Sequence, residues 1–168
     1  TQRGPVMKMA TFEKHFAPRF RRYFEMAHRH GARTMMHMCG CVEKFLPRLI
    51  ELGLDVQDVV QPTTPEMDIA VLKRKYGDRL VFCGSMCVQT TVVFGTPADV
   101  EREVRRRLEL FPEGGLFLGP THAIQVGSPL ENILALYRTA GSLCERPDDS
   151  ILQAGGDDPD RVNISKMF

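Results

Sequence analysis

The sequence has 168 residues, of which 43% are hydrophobic and 26% charged, with a formal net charge of +1. Such a chain can bury the core of one globular domain, and its near-neutral balance excludes a strong field for nucleic acid or an anionic membrane surface. No apolar run reaches the roughly 18–20 residues that a membrane helix needs.

The opening Thr1-Gln2-Arg3-Gly4-Pro5 lacks the basic and apolar regions of a signal peptide and reads as the interior of a longer polypeptide. From Thr11 to His30, Phe16, Phe20, Tyr23, Phe24 and Ala27 recur at helical spacing, with Pro18 at the start or in the first turn and Gly31 as the stop. Thr34-Met35-Met36-His37 is a short, nearly uninterrupted apolar run, the pattern of a buried parallel strand. Val42, Phe45, Leu46, Leu49 and Ile50 predict a helix whose regular part begins near Leu46, because Pro47 suits the first turn, and which ends at Gly53. Asp55 to Val60 reads as the second strand.

Pro65 and Glu66 then open a helix carrying Ile69, Leu72 and Tyr76, and Gly77 ends it. Leu80-Val81-Phe82-Cys83 is the third strand, closed by Gly84. Thr96 is a good N-cap and Pro97 a good first residue for a helix reaching Leu110, with Val100, Val104 and Leu108 as its apolar stripe. The interleaved Glu101, Arg102, Glu103, Arg105, Arg106 and Arg107 read as its solvated outer face rather than a nucleic-acid surface. Leu116-Phe117-Leu118 is the fourth strand, and Pro129 to Ala140 the last helix, with Ile133, Leu134 and Tyr137 inward. Residues 145–160 are rich in Asp, Pro and Gly and read as a loop, and the closing Val162 to Phe168 as a short apolar docking segment.

Four short strands separated by amphipathic helices predict an α/β fold of parallel βαβ units. No Gly-x-Gly-x-x-Gly turn and no nucleotide P-loop follows a strand, so common nucleotide binding is unsupported. Five cysteines, Cys39, Cys41, Cys83, Cys87 and Cys144, are odd in number and irregular in spacing. They argue against a disulfide framework and for a reducing, cytoplasmic setting, with the thiols free or bound to metal.

The chemistry-bearing residues fall just after strands, at the edge where parallel α/β proteins bind ligands. His37, Cys39 and Cys41 follow the first, Gln61 the second, Ser85, Cys87 and Gln89 the third, and Thr121, His122 and Gln125 the fourth. In His37-Met38-Cys39, residues i and i+2 of an extended segment point the same way, so imidazole and thiolate converge as zinc requires. A third ligand has to come from elsewhere: His122 is the obvious candidate, with Cys41, Cys83 and Cys87 in reserve. The plainer reading makes Cys39 and Cys83 small core residues and His37 a hydrogen-bonded histidine. His122 has three readings of its own: a contact to a substrate carboxylate, a general acid, or a partner of a loop carbonyl. Thr63-Thr64 and Gly84-Ser85 read as anion donors or as helix caps.

Taken in order, His37-Met38-Cys39-Gly40, Gly53-Leu54-Asp55, Lys75-Tyr76-Gly77-Asp78, the Gly84 turn, Phe94-Gly95-Thr96-Pro97, Leu118-Gly119-Pro120-Thr121-His122 and Pro129-Leu130-Glu131-Asn132-Ile133 closely resemble the uroporphyrinogen decarboxylase family, which includes cobalamin-dependent methyltransferases. The resemblance covers roughly residues 1–140 and implies the C-terminal half of a (β/α)8 barrel, with a partial domain over 1–141 and an extension over 142–168.

Decarboxylation is the first reading, with a methyltransferase and a non-catalytic binding protein as the two alternatives. As a decarboxylase of a carboxylated tetrapyrrole, in chemistry of the porphyrin-biosynthesis type, the enzyme needs no cofactor. His122 is then catalytic, and Gln61, Ser85, Gln89 and His122 contact substrate. As a methyltransferase between methylcobamide and a thiol, it uses zinc on His37 and Cys39, with His122 standing where that branch has a later Cys. As a non-catalytic relative, it binds a tetrapyrrole without turnover. In each case the partners implied are the tetrapyrrole or corrinoid and the N-terminal half of the barrel, with a homodimer as a further candidate and neither nucleic acid nor membrane. The fragment alone is expected to be inactive.

Overall fold

The computed structural model describes residues 1–143; the expected loop over 145–160, the apolar closing segment, Cys144 and most of the 142–168 extension lie outside them. The chain begins with α1 (Met9–His15) and α2 (Ala17–Arg29), two helices where the spacing predicts one. Pro18 explains the break: it has no N–H to donate, so α1 ends at Phe16, and Pro18 takes the first turn of a new helix. Phe12, Phe16, Phe20 and Phe24 still stack along both helices, with neighbouring centroids 5.9–6.5 Å apart.

β1 (Met35–His37) follows, then a 3-10 turn over Glu43–Phe45 and α3 (Leu46–Leu52), which starts where Pro47 requires. Gly53 closes α3 at φ 106°, a conformation that a side chain would strain. β2 (Val56–Val60) leads to α4 (Ile69–Tyr76), which begins later than Pro65 suggests because the Asp68 carboxylate caps it, accepting from the Val71 N–H.

β3 (Val81–Met86) runs past Gly84 instead of stopping there. Gly84 and Ser85 have φ of 88° and 74°, yet pairing with the fourth strand continues through both. A Cβ on Gly84 would sit 3.1 Å from Val59 Cβ, so this position favours glycine twice over, for its conformation and for the close approach of β2. A short helix not foreseen in the sequence, α5 (Thr91–Phe94), precedes α6 (Pro97–Leu110), whose reciprocal Thr96–Asp99 capping box satisfies two orphan donors. β4 (Leu116–Pro120) and α7 (Leu130–Leu143) complete the described residues.

The four strands are all parallel and lie in chain order, β1-β2-β3-β4. A doubly wound sheet reverses its strand order at a switch point. This one does not, and it has the architecture of part of a (β/α)8 barrel. Two apolar clusters join helices to strands. Phe12, Phe24, Leu46, Leu49, Leu72, Val60, Phe82 and Phe111 form one; Met86, Val92, Val100, Val104, Ala135 and Leu136 form the other.

Two expected faces are corrected. In α7 the inward residues are Asn132, Ala135, Leu136 and Thr139, while Leu134 and Tyr137 are exposed. Asn132 fixes that rotation: its amide donates to the carbonyls of Val92 and Gly95, at 3.1 and 2.7 Å, and ties α7 to the loop before α6. On α6, Arg107 is buried rather than solvated and pairs with Glu103 at 2.9 Å. Among the described residues no helix is long and apolar enough to cross a membrane.

Just before β2, Asp55 ties the sheet to α2. It contacts His28 Nε2 at 2.7 Å, the Thr34 N–H at 2.7 Å and Arg33 at 3.1 Å. Burial raises the Asp55 carboxyl, but hydrogen bonds from His28, Thr34 and Arg33 outweigh it and hold the pKa down to about 2. A depressed carboxylate stabilises the fold fully above its unfolded pKa of about 4 and ceases to do so as pH falls through about 2. Thermal unfolding followed between pH 5 and 2 is therefore expected to show an acid-dependent loss of about 1–2 kcal/mol that Asp55→Asn removes. An unchanged acid profile in Asp55→Asn would contradict that role.

Candidate metal centre

His37 ends β1, and Asp58 is its register partner on β2. Parallel neighbours in register point their side chains the same way, so the His37 Nδ1 and Asp58 Oδ2 atoms meet at 2.6 Å. The carboxylate accepts, so Nδ1 carries a proton, and in the neutral imidazole Nε2 is the atom with the lone pair. Nε2 faces Cys39 Sγ at 3.1 Å, and with the proton on Nδ1 it accepts a hydrogen bond from the thiol. A metal ion held by both atoms would replace the thiol proton.

His122 lies in the bend after β4. Its ring stands edge-on to that of His37, with centroids 6.3 Å apart and planes at 74°. The donor atoms of His37, Cys39 and His122 all lie within 4.8 Å of one another, the one such convergence of three or more His, Cys, Asp or Glu among the described residues. Zinc–nitrogen bonds of about 2.0 Å and zinc–sulfur bonds of about 2.3 Å put tetrahedral donors roughly 3.5 Å apart, within reach of small side-chain rotations here. All three side chains are exposed.

The reserve cysteines do not join this group. Cys41 and Cys87 are buried, near Glu66 and Thr63 respectively. Cys83 sits behind Asp58: burial first, then a hydrogen bond and the charge of Asp58, push its thiol up to about 11. Partial burial, followed by Asp58, also raises Cys39.

Beside the three donors opens a cavity of about 340 Å³ lined by Cys39, His122, Gln2, Gln61, Gln89 and Gln125, together with Val88 and Thr121. Of the residues read from the sequence as substrate contacts, Gln61, Gln89 and His122 lie here and Ser85 does not. Ser85 is fully buried in a different cavity, beside Arg107, because its positive φ breaks the alternation of β3.

The sequence reading passed over Asp58 and Gln2. Asp58 had one signal, a carboxylate interrupting the apolar run of β2; Gln2 had none.

A family model for "Uroporphyrinogen decarboxylase (URO-D)" matches residues 3–143. The chain belongs to the uroporphyrinogen decarboxylase family. Among solved structures, a methyltransferase from Methanosarcina mazei is similar over 84% of this chain, with a TM-score of 0.67 and 20% sequence identity. This chain spans 39% of that methyltransferase's length. No curated protein matches the sequence. The match establishes a shared fold, and in this member of the uroporphyrinogen decarboxylase family the mouth of the sheet carries the His37, Cys39 and His122 group.

Asp58→Asn is expected to weaken zinc binding about 10–100-fold while leaving the fold intact, since the carboxylate fixes the His37 tautomer and raises its basicity. Competition with a metallochromic chelator measures this, and equal affinities would exclude Asp58 as the orienting group.

Proposed function

We propose that the protein containing this chain is a zinc-dependent methyltransferase that moves a methyl group from a corrinoid to a thiol. The observation that carries this reading is the convergence of His37, Cys39 and His122. The donor set fits zinc: two imidazoles and one thiolate, with an orienting carboxylate behind the first imidazole. Bound there, zinc supplies Lewis acidity that lowers the pKa of a substrate thiol and holds it as a thiolate.

The residues of the chain do the rest. Asp58 keeps the proton of His37 on Nδ1 and so aims Nε2 at the centre. Cys39 contributes the one negative charge of the three-ligand set. His122 is neutral when it ligates and leaves a net charge of one to be matched by the substrate thiolate. Gln61 and Gln89 line the adjoining cavity and orient what enters it.

A second reading, decarboxylation of a carboxylated tetrapyrrole, is favoured by the description of the matching family model. In it His122, exposed at the cavity, contacts a substrate carboxylate. The full-length protein distinguishes the two. The first reading expects one zinc per chain and thiol methylation from methylcobalamin that a chelator abolishes. A metal-free preparation that releases CO₂ from a carboxylated porphyrinogen would replace it with the second.

A further inference from the structure

His37 and Cys39 are joined through one residue, Met38, and the backbone of Met38 sets how the imidazole and the thiol stand to each other. Side chains alternate along this segment. Met36 and Met38 pack against the first apolar cluster, while His37 and Cys39 turn the other way, to the mouth of the sheet. β1 ends at His37, so its ladder to β2 runs out where the second donor has to be placed. The Met38 N–H still reaches the Asp58 carbonyl, at 2.5 Å. The Met38 carbonyl is held by a side chain instead: Gln57 Nε2 donates to it at 3.2 Å.

Gln57 precedes Asp58 on β2 and is the register partner of Met36, so it acts from the apolar face while Asp58 acts from the mouth. It is fully buried on an inner strand of this chain, and the other buried residues of that strand are Val56, Val59 and Val60. Both groups that Nε2 meets are carbonyls, Met38 at 3.2 Å and Val59 at 3.5 Å. Carbonyls only accept, so the amide cannot be turned round. Its Oε1 then has no hydrogen-bond partner among the described residues. A buried acceptor left unmatched costs free energy that an apolar side chain of similar size would not. Stability alone therefore favours Met or Leu at this place. What Gln57 adds, and they cannot, is the bond to the Met38 carbonyl.

We propose that Gln57 is a positioning residue of the metal centre. It clamps the backbone between His37 and Cys39 from the opposite face of the sheet, and so holds Sγ where one ion takes both Sγ and Nε2. It touches neither the ion nor the substrate. This rests on the zinc reading above and adds to it the group that fixes the placement of the first two ligands.

Gln57→Met in the full-length protein keeps most of the volume and removes the donor. Zinc affinity is measured by chelator competition, the cobalt(II)-substituted protein supplies the thiolate-to-metal charge-transfer band, and the metal-free protein is unfolded in urea. Zinc affinity is expected to fall about tenfold, the lower end of the range for groups that orient a ligand, and the band to shift or weaken. The metal-free midpoint is expected to stay level or rise, because an unmatched acceptor has gone. Val60→Ala, a truncation on the same strand, is expected to do the reverse, with a lower midpoint and an unchanged affinity and band. Wild-type affinity and band in Gln57→Met overturn the positioning role, whatever the midpoint, and leave the zinc centre standing. Should Gln57→Met not fold, Gln57→Leu is read in the same way, and failure of both makes Gln57 a support of the core and overturns the role. A wild-type protein that takes up neither zinc nor cobalt overturns the centre itself.

Discussion

Cys39→Ala is expected to reduce zinc in the full-length protein from one equivalent per chain to a small fraction, with affinity falling more than about 100-fold. Cys39 would be the one anionic donor of the three once a metal displaces its proton, and two neutral imidazoles alone make a weak site. Because the side chain is exposed, its truncation leaves no cavity, and circular dichroism and the unfolding midpoint should remain those of the wild type. Cys41→Ala is the matched control. Cys41 lies two residues on but is buried, with its sulfur 4.0 Å from Glu66 and outside the donor group. It is expected to keep its zinc. Loss of zinc in Cys41→Ala and not in Cys39→Ala would refute the assignment of ligands.

Phe82→Ala is expected to cost about 3–5 kcal/mol, a large part of the roughly 5–15 kcal/mol that holds a domain together. Phe82 is fully buried on β3 and meets Phe111 edge-on, with centroids 6.1 Å apart and planes at 69°. Removing the ring takes a central strand residue out of contact with the segment after α6. Urea unfolding measures the effect, and Phe82→Leu, which refills most of the volume, is expected to recover more than half of it. A cost below about 1 kcal/mol for Phe82→Ala would mean that β3 is not the centre of the core.

Local signals were legible in the sequence where local chemistry decides. Thr96-Pro97 and Gly53 mark helix ends because capping and left-handed backbone are properties of single residues. The strands after Gly31, Gly53 and Gly77 were visible as short apolar runs for the same reason. His37 and Cys39 were readable as a pair because extended backbone alone sends i and i+2 to one side.

What tertiary structure decides was harder to read. His122 is 85 residues from His37 by chain number; the parallel strands put both at one edge of the sheet, and although β1 and β4 are not neighbours the two rings come within 6.3 Å. Asp58 meets His37 through the register of two strands, and sequence carries no direct record of register. Ser85 left the mouth because two successive residues of positive φ turn it. Asn132 turned α7 because two distant carbonyls needed a donor. Arg107 sits at a helical position that composition alone assigns to solvent. Each of these outcomes depends on a partner far along the chain.

The departure at His122 has a chemical consequence. The methyltransferase branch that the sequence resembles has a second thiolate at this place, whereas His122 would give the proposed zinc an imidazole as its third donor. One fewer negative ligand would leave that zinc a stronger Lewis acid toward an incoming thiol.

Zinc-edge X-ray absorption of the full-length protein asks most directly whether these three side chains share one ion. One sulfur at about 2.3 Å and two imidazole nitrogens at about 2.0 Å, with the sulfur shell lost in Cys39→Ala, is the outcome expected from the geometry. A spectrum with two sulfurs, with oxygen and nitrogen alone, or with no bound zinc at all would contradict it.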